Sequence, residues 1–449
     1  MPHIIADLRR EFRPMLRLAV PLAIAELGWM AMGIVDTLMA GRLGPAPLGA
    51  GSLGNMIFYP TVIGATGLLL GMDTLVAQSF GAEDHTGTRR TLVGGTWLAL
   101  AIAPPLAALL LLILPLLRAA GVNPHVMAPL APYVEALIWG IPPVLLYTAF
   151  RRYLQAVNIV RPVTFALISA NAINALGNWV LMYGHWGAPR MGLTGSGWST
   201  SLSRVYMAGV LLATILWHER RTGNRLFQIS WRPDLPHIRR LILLGLPASA
   251  QIAFEGAVFG LVTVLAAKLD EVSLAAHSIA VQVIATTFMV PLGISSAAAV
   301  RVGQATGRRD AHGVAAAGWT ALGISALFMG SAGILLWAAP GWIVRLFIGN
   351  SAVIASGAVL LRIAAFFELF DGFQVVATGA LRGLGDTRTP MLAHFAGYWI
   401  VGLPISYLLC FPWNWGVKGI WIGLTTALIL IGMALVLAWR AKSRKPIAG

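Results

Sequence analysis

Apolar stretches of about 20 residues, separated by short polar joints, recur along the whole chain. LALAIAPPLAALLLLILPLL (98–117) and GIWIGLTTALILIGMALVLAW (419–439) are typical. A helix of roughly 20 residues, rising about 1.5 Å per residue, crosses a hydrocarbon layer about 30 Å thick. Barrel strands would instead show strict alternation over about 10 residues, and the sequence has none. The pattern predicts an all-α polytopic membrane protein with twelve transmembrane helices, near 15–40, 48–77, 92–116, 127–150, 162–184, 193–217, 240–266, 274–300, 314–338, 353–380, 391–411 and 417–439.

Composition agrees. The 449 residues are 57% hydrophobic and 11% charged, against roughly 25% charged in soluble proteins. The first 14 residues carry charge, and the apolar run after them is longer than a signal-peptide core, so no cleavable signal is expected. The single cysteine, Cys410, excludes an internal disulfide. A net charge of +15 invites a nucleic-acid partner, but its distribution argues against one. With twelve spans both termini share one side, and that side carries 24 of the 32 basic residues, including Arg9, Arg10, Arg89, Arg90, Arg151, Arg152, Arg225, Arg301, Arg382, Lys442 and Lys445. The opposite loops carry six. The positive-inside rule then places both termini in the cytoplasm, and the charge needs no nucleic acid.

The chain also repeats itself. A shift of 226 residues lays Leu18 and Pro21 on Leu244 and Pro247, and Gln78, Gly81, Asp84 and Gly87 on Gln304, Gly307, Asp310 and Gly313. A shift of 227 lays Leu154 and Arg161 on Leu381 and Arg388. Each half holds six spans, an even number, so both insert in the same orientation. Parallel repeats of this kind place a substrate site between them near the midplane. Two six-helix lobes are expected, 1–226 and 227–449, joined by the polar, basic segment 218–240.

Seven acids fall inside predicted spans: Glu26, Asp36, Asp73, Glu135, Glu255, Glu368 and Asp371. Each costs roughly 2.5–3.5 kcal/mol at a helix centre, so such groups face a cavity and mark an ion or substrate path. Asp73 and Glu135 lie near span ends, where they meet water equally well. Glu26 has the option of bonding a neighbouring helix. Glu368 and Asp371 share one helix face within FFELFDGFQ (366–374). The acids ignore the repeat, since Asp36 falls on Val262, Glu255 on Trp29 and Asp371 on Val144. Asn171, Asn174 and Asn178 recur at i, i+3 and i+7 and form a polar stripe. Amide oxygens suit a small cation or a protonated acid, though the same stripe serves as glue between helices.

No GxxxxGK[ST] and no HExxH occur, so neither a nucleotide-driven pump nor a zinc enzyme is indicated. His277 and His394, the histidines inside or beside spans, read as hydrogen-bonded packing residues. Any driving force should be an ion gradient, and no enzymatic activity or cofactor is expected.

VDTLMAGRLG (35–44), VAQSFGAED (76–84), AAHSIAVQ (275–282), FMVPLGISSAAAVRVGQATG (288–307), LRGLGDTRTP (381–390) and GYWIVGLPISYLL (397–409) resemble the multidrug and toxic compound extrusion (MATE) family, in its NorM-like branch, over nearly the whole chain. The resemblance implies a V-shaped fold of two six-helix lobes and an antiporter that exports cationic, amphipathic compounds in exchange for Na⁺ or H⁺. It maps the family's functional acids to Asp36, Glu255 and Asp371, and its first-lobe cation site to Asn174 and Asn178, beside Asn171. Glu255 and Asp371 are the Na⁺ ligands to test. Glu368 and Glu26 lie outside the family pattern. Phe254, Phe367 and Phe370, with Phe366 and Phe373, either face a lipophilic cation or belong to core and lipid-facing surfaces. A monomer in a bacterial inner membrane is expected. The rival readings are a lipid-linked saccharide flippase of the same superfamily, which should be rich in cavity arginine, and a membrane enzyme or scaffold.

Overall fold

The computed structural model describes residues 2–222 and 230–444, with side chains from residue 8. The lobe boundary expected at 226/227, with Arg225 and Lys445, lies outside the described residues. Among the described residues sixteen helices follow one another: α1 (Pro2–Gly41), α2 (Pro45–Leu68), α3 (Gly71–Gly81), α4 (His85–Ala119), α5 (Pro124–Ile138), α6 (Ile141–Ala156), α7 (Arg161–Tyr183), α8 (Leu193–Arg221), α9 (Leu235–Ala267), α10 (Glu271–Gly307), α11 (Ala311–Ala338), α12 (Pro340–Arg345), α13 (Ser351–Gly383), α14 (Arg388–His394), α15 (Leu403–Cys410) and α16 (Val417–Lys442). A π-helical segment, Phe395–Gly402, joins α14 to α15. Eleven stretches of the described residues are long and apolar enough to cross a membrane. α5 and α6, bent by 43° at their junction, supply a twelfth when taken together. No strand occurs among the described residues.

The chain forms two compact units, Ile24–Leu246 and Met1–Ala23 with Pro247–Gly449. The boundaries fall inside α1, just past Pro21, and inside α9, at Pro247. These are the two prolines that the repeat superposes. The lead of α1 is therefore packed in the unit that holds the second repeat. There Gly293 of α10 sits so close to Ala23 that a Cβ would lie 2.6 Å from its Cα. The lead of α9 is packed in the other unit, where a Cβ on Gly245 would lie 2.7 Å from the Leu68 Cα. Real side chains do not approach so closely, so glycine is required at both contacts.

The repeated polar residues cap helices. Asp84 accepts the Gly87 amide at 2.8 Å and starts α4, and Asp310 accepts the Gly313 amide at 2.8 Å and starts α11. These are N-caps that satisfy one otherwise orphaned donor. The residues just before them, Glu83 and Arg309, share a left-handed backbone with φ of 58° and 57°. The second match behaves likewise. The Ile159 amide bonds the Leu154 carbonyl at 2.8 Å, and the Asp386 amide bonds the Leu381 carbonyl at 2.9 Å.

Several basic residues counted as loop charges lie in helices instead. Arg151 and Arg382 are buried. Arg89 pairs with Glu219, Arg90 with Asp234, Arg152 with Asp73, Arg301 with Glu11, and Lys442 with Asp386. At Asp386, burial pushes the carboxyl up, but hydrogen bonds from Lys442 and Thr389 outweigh it and hold the group below the ordinary carboxylate range.

Candidate functional site

Glu135 is exposed, and the other acids of the spans fall into two chemical classes. In the first, a guanidinium answers the carboxylate. Glu26 pairs with Arg151, and Asp73 lies 3.3 Å from Arg152. Glu219, expected at a loop edge, is buried near the end of α8 instead. It sits 3.1 Å from Arg89 and accepts the Tyr153 hydroxyl at 2.8 Å. Such pairs are held together, because losing either partner would leave an uncompensated charge in a site of low polarity.

In the second class the neighbours within hydrogen-bonding distance are neutral. Asp36 on α1 is buried. Its Oδ1 accepts from Asn178 Nδ2 at 2.6 Å, and its Oδ2 accepts from Thr200 Oγ1 at 3.2 Å. Asn174 Nδ2 donates to Thr200 Oγ1 at 3.2 Å, and Asn174 Oδ1 accepts from Asn178 at 3.3 Å. The spacing of the asparagines on α7 carries both amides to one face. α8 brings Thr200 in because Gly177 admits Ser199 closely: a Cβ on Gly177 would lie 3.1 Å from the Ser199 Cβ. Asn178 Oδ1 is buried with no hydrogen-bond partner. Arg204 of α8 is also buried and stacks over Phe58 at 4.5 Å. Its charge acts on Asp36 without an ion pair. Asn171 does not join this group. It donates to the Gly28 and Leu167 carbonyls at 3.0 and 2.9 Å, tying α7 to α1.

The unit that holds the second repeat carries a separate group. Asp371 of α13 is buried and accepts from Gln374 Nε2 at 3.1 Å. Glu255 of α9 interacts with the Asp371 carboxyl and reaches Gln374. Tyr398, in the π segment, lies near Glu255, and its hydroxyl makes no completed hydrogen bond. His394 sits behind Gln374, fully buried. Glu368, one turn before Asp371, is fully buried too. Its Oε1 accepts from Thr287 at 3.2 Å, and its Oε2 has no partner. Among the described residues no three His, Cys, Asp or Glu side chains gather as metal ligands. A Na⁺ ion at Asp371 and Glu255 would need amide or hydroxyl oxygens as well.

The aromatic candidates separate. Phe367 is buried and stacks on Trp421 at 6.2 Å. Phe370 is half-buried, edge-on to Phe373. Phe254 is half-buried, 5.1 Å from Phe395 and 6.4 Å from Trp399. Phe366 is exposed beside Trp337. His277 is a packing residue, bonded to Thr263 at 3.0 Å and to Trp421 at 3.2 Å.

Sequence reasoning missed Thr200, Gln374 and Tyr398 as neighbours of the acids. Only Gln374 left a trace, since it lies three residues past Asp371 on the same face.

Comparison with known proteins agrees with this architecture. Residues 21–180 and 247–408 match the MatE family. The chain is 38% identical over 444 residues to a probable multidrug resistance protein NorM of Mesorhizobium japonicum, covering 97% of this chain and 95% of that one. It is 35% identical over 440 residues to a protein of the same name from Brucella suis, covering 96% and 93%. Among solved structures it resembles the eukaryotic MATE transporter AtDTX14, with a TM-score of 0.86 at 20% identity over 98% of this chain and 99% of that one. A MATE protein in complex with MaL6 gives 0.87 at 19% identity, over 96% and 95%.

Proposed function

Because the chain belongs to the MatE family, and so is a transporter and not an enzyme, we propose that it is a secondary multidrug efflux antiporter. It exports cationic, amphipathic compounds across the bacterial inner membrane in exchange for H⁺ or Na⁺. The relatives named as multidrug resistance proteins support the cargo class. The observation that carries the coupling is the sorting of buried acids. Asp36 and Asp371 keep amide and hydroxyl partners, whereas Glu26, Asp73 and Glu219 are spent on arginines. A carboxylate whose polar partners are all neutral is free to exchange its charge partner. One held by a guanidinium is not.

The cycle then runs as follows. With the carrier open to the cytoplasm, a lipophilic cation enters, drawn by ionised acids and by aromatic walls to which Phe254 and Phe370 contribute. The two lobes change over to face outward. H⁺ or Na⁺ from outside binds Asp371 with Glu255, or Asp36 with Asn174 and Asn178, and the drug leaves. The ion-loaded carrier returns and discharges inward. Coupling requires each ligand to prefer one state of the carrier, since uniform binding shifts nothing.

The test is efflux of a fluorescent lipophilic cation from proteoliposomes under an imposed Na⁺ or pH gradient, with wild type and Asp371→Asn. Efflux should follow one gradient and be lost in the variant. Folded wild-type protein indifferent to both gradients would exclude the antiporter.

A further inference from the structure

His394 is fully buried, ends α14 just before the π segment, and has only neutral groups within hydrogen-bond distance. Its Nδ1 lies 2.7 Å from the Pro390 carbonyl. Its Nε2 faces Gln374 of α13 within hydrogen-bond distance and Gln251 of α9 at 3.4 Å. The Tyr398 ring is 5.9 Å away. A carbonyl only accepts, so Nδ1 must carry a hydrogen. An imidazolium here would be a buried cation without an anion against it, which is costly. The ring is therefore neutral, and Nε2 is a pure acceptor.

That assignment decides the orientation of Gln374. In one orientation of the amide its Oε1 faces His394 Nε2 and its Nε2 donates to Asp371. Two lone pairs would then meet at His394. The two ends of an amide have nearly the same outline, and the hydrogen-bond network decides between them. Turning the amide over repairs the conflict. Gln374 Nε2 donates to His394, and Gln374 Oε1 points at Asp371 and Glu255, with the Tyr398 ring beside them.

We propose that His394 is a positioning residue that holds the Gln374 carbonyl toward the second-repeat carboxyls, so that Gln374 becomes a direct oxygen partner of the coupling ion. A proton on Asp371 or Glu255 donates to that oxygen, and a Na⁺ ion takes it as a neutral ligand beside the carboxylates. The inference rests on the antiporter reading above. It goes beyond it by naming what sets the ion affinity of this group.

The test measures ion binding apart from transport. Purified protein in detergent is titrated with pH and with Na⁺, and the midpoint of ion-dependent thermal stabilisation is read for wild type, His394→Leu, Gln374→Met and His394→Gln. A glutamine at 394 supplies one donor for Pro390 and one acceptor for Gln374, as the neutral ring does. His394→Leu and Gln374→Met should each move the midpoint about ten-fold toward weaker ion binding, the scale of one hydrogen bond to an ionic group. His394→Gln should recover most of that shift. An unchanged midpoint in Gln374→Met would overturn the proposal. So would a His394→Gln variant that is folded yet as shifted as His394→Leu, because the ring's shape would then be what matters. If His394→Leu does not fold, Gln374→Met and His394→Gln still decide. Efflux by the wild type under the imposed gradients tests the antiporter separately, since folded wild-type protein indifferent to both would sink the parent reading whatever the His394 titrations show.

Discussion

A carboxyl group costs much the same to bury wherever it sits, so the residue that answers it decides its use. Glu26 and Asp36 lie ten residues apart on α1, yet Glu26 meets Arg151 and Asp36 meets an amide and a hydroxyl. Their neutral variants should therefore behave oppositely. Glu26→Gln strands a buried guanidinium and should lower stability by about 3 kcal/mol, the usual cost of breaking a buried pair. Asp36→Asn leaves its hydrogen-bonding neighbours neutral and breaks no ion pair, since Arg204 is stacked over Phe58 and not bonded to Asp36. It should unfold near the wild-type temperature in detergent while its ion response is lost. Equal melting temperatures for the two variants would refute this sorting. The acids and the Asn174/Asn178 stripe were legible in the sequence, because charge and helical spacing are local properties. Their partners were not. Asn178 reaches Asp36 across 142 residues, and Arg151 reaches Glu26 across 125. Nothing local distinguishes an acid that will meet an arginine from one that will meet an amide.

At the scale of elements, the twelve-span pattern locates the membrane-crossing helices but not their interruptions. The break after Leu68, the bend between α5 and α6 and the π segment all leave apolar composition unchanged. Hydropathy is therefore blind to them, although the π segment carries Tyr398 toward Glu255. The polar joints, in contrast, were readable, and Asp84 and Asp310 are caps. A third joint offers a pH test. Lys442 at the end of α16 bonds Asp386 and Thr389 in the turn between α13 and α14. The Asp386 carboxyl is held below its ordinary range, so it binds protons less readily folded than unfolded. Its contribution is present above the unfolded pKa, near 3.9, and is lost as pH falls through the lower folded value. Asp386→Asn should cost about 0.5–1 kcal/mol at pH 7, the range of a partly exposed ion pair. The difference from wild type should shrink toward zero as pH falls below the folded value. A gap that persists in acid would mean that the tether works by packing alone.

For the whole molecule the repeat is more than duplication, because each repeat gives the lead of its first helix to the other's unit. Met15 and Leu22 of α1 are fully buried in the unit with Pro247–Gly449, and Leu241 of α9 is fully buried in the unit with Ile24–Leu246. The repeat was legible from Pro21 and Pro247, but the exchange was not, since matching residues reveal likeness and not which copy a segment packs against. The exchange has a consequence for assembly. A chain of residues 1–226 would expose the apolar lead of α1 and leave open the surface on α2 and α3 that Leu241 and Gly245 should cover. A chain of residues 227–449 has the converse fault at Gly293. Burial of each fully covered Leu or Met side chain is worth about 1.5–3 kcal/mol in water. In lipid, where apolar contact alone gives less, the close glycine contacts carry more of the association. Neither fragment should therefore purify as a monodisperse species, whereas the two expressed together should co-purify one to one and keep gradient-driven efflux. The measurement is affinity capture through a tag on one fragment, followed by size exclusion. A monodisperse, protease-resistant 1–226 fragment would show that the first unit closes its core without α9, and that the exchanged leads contribute little to holding the lobes in one molecule.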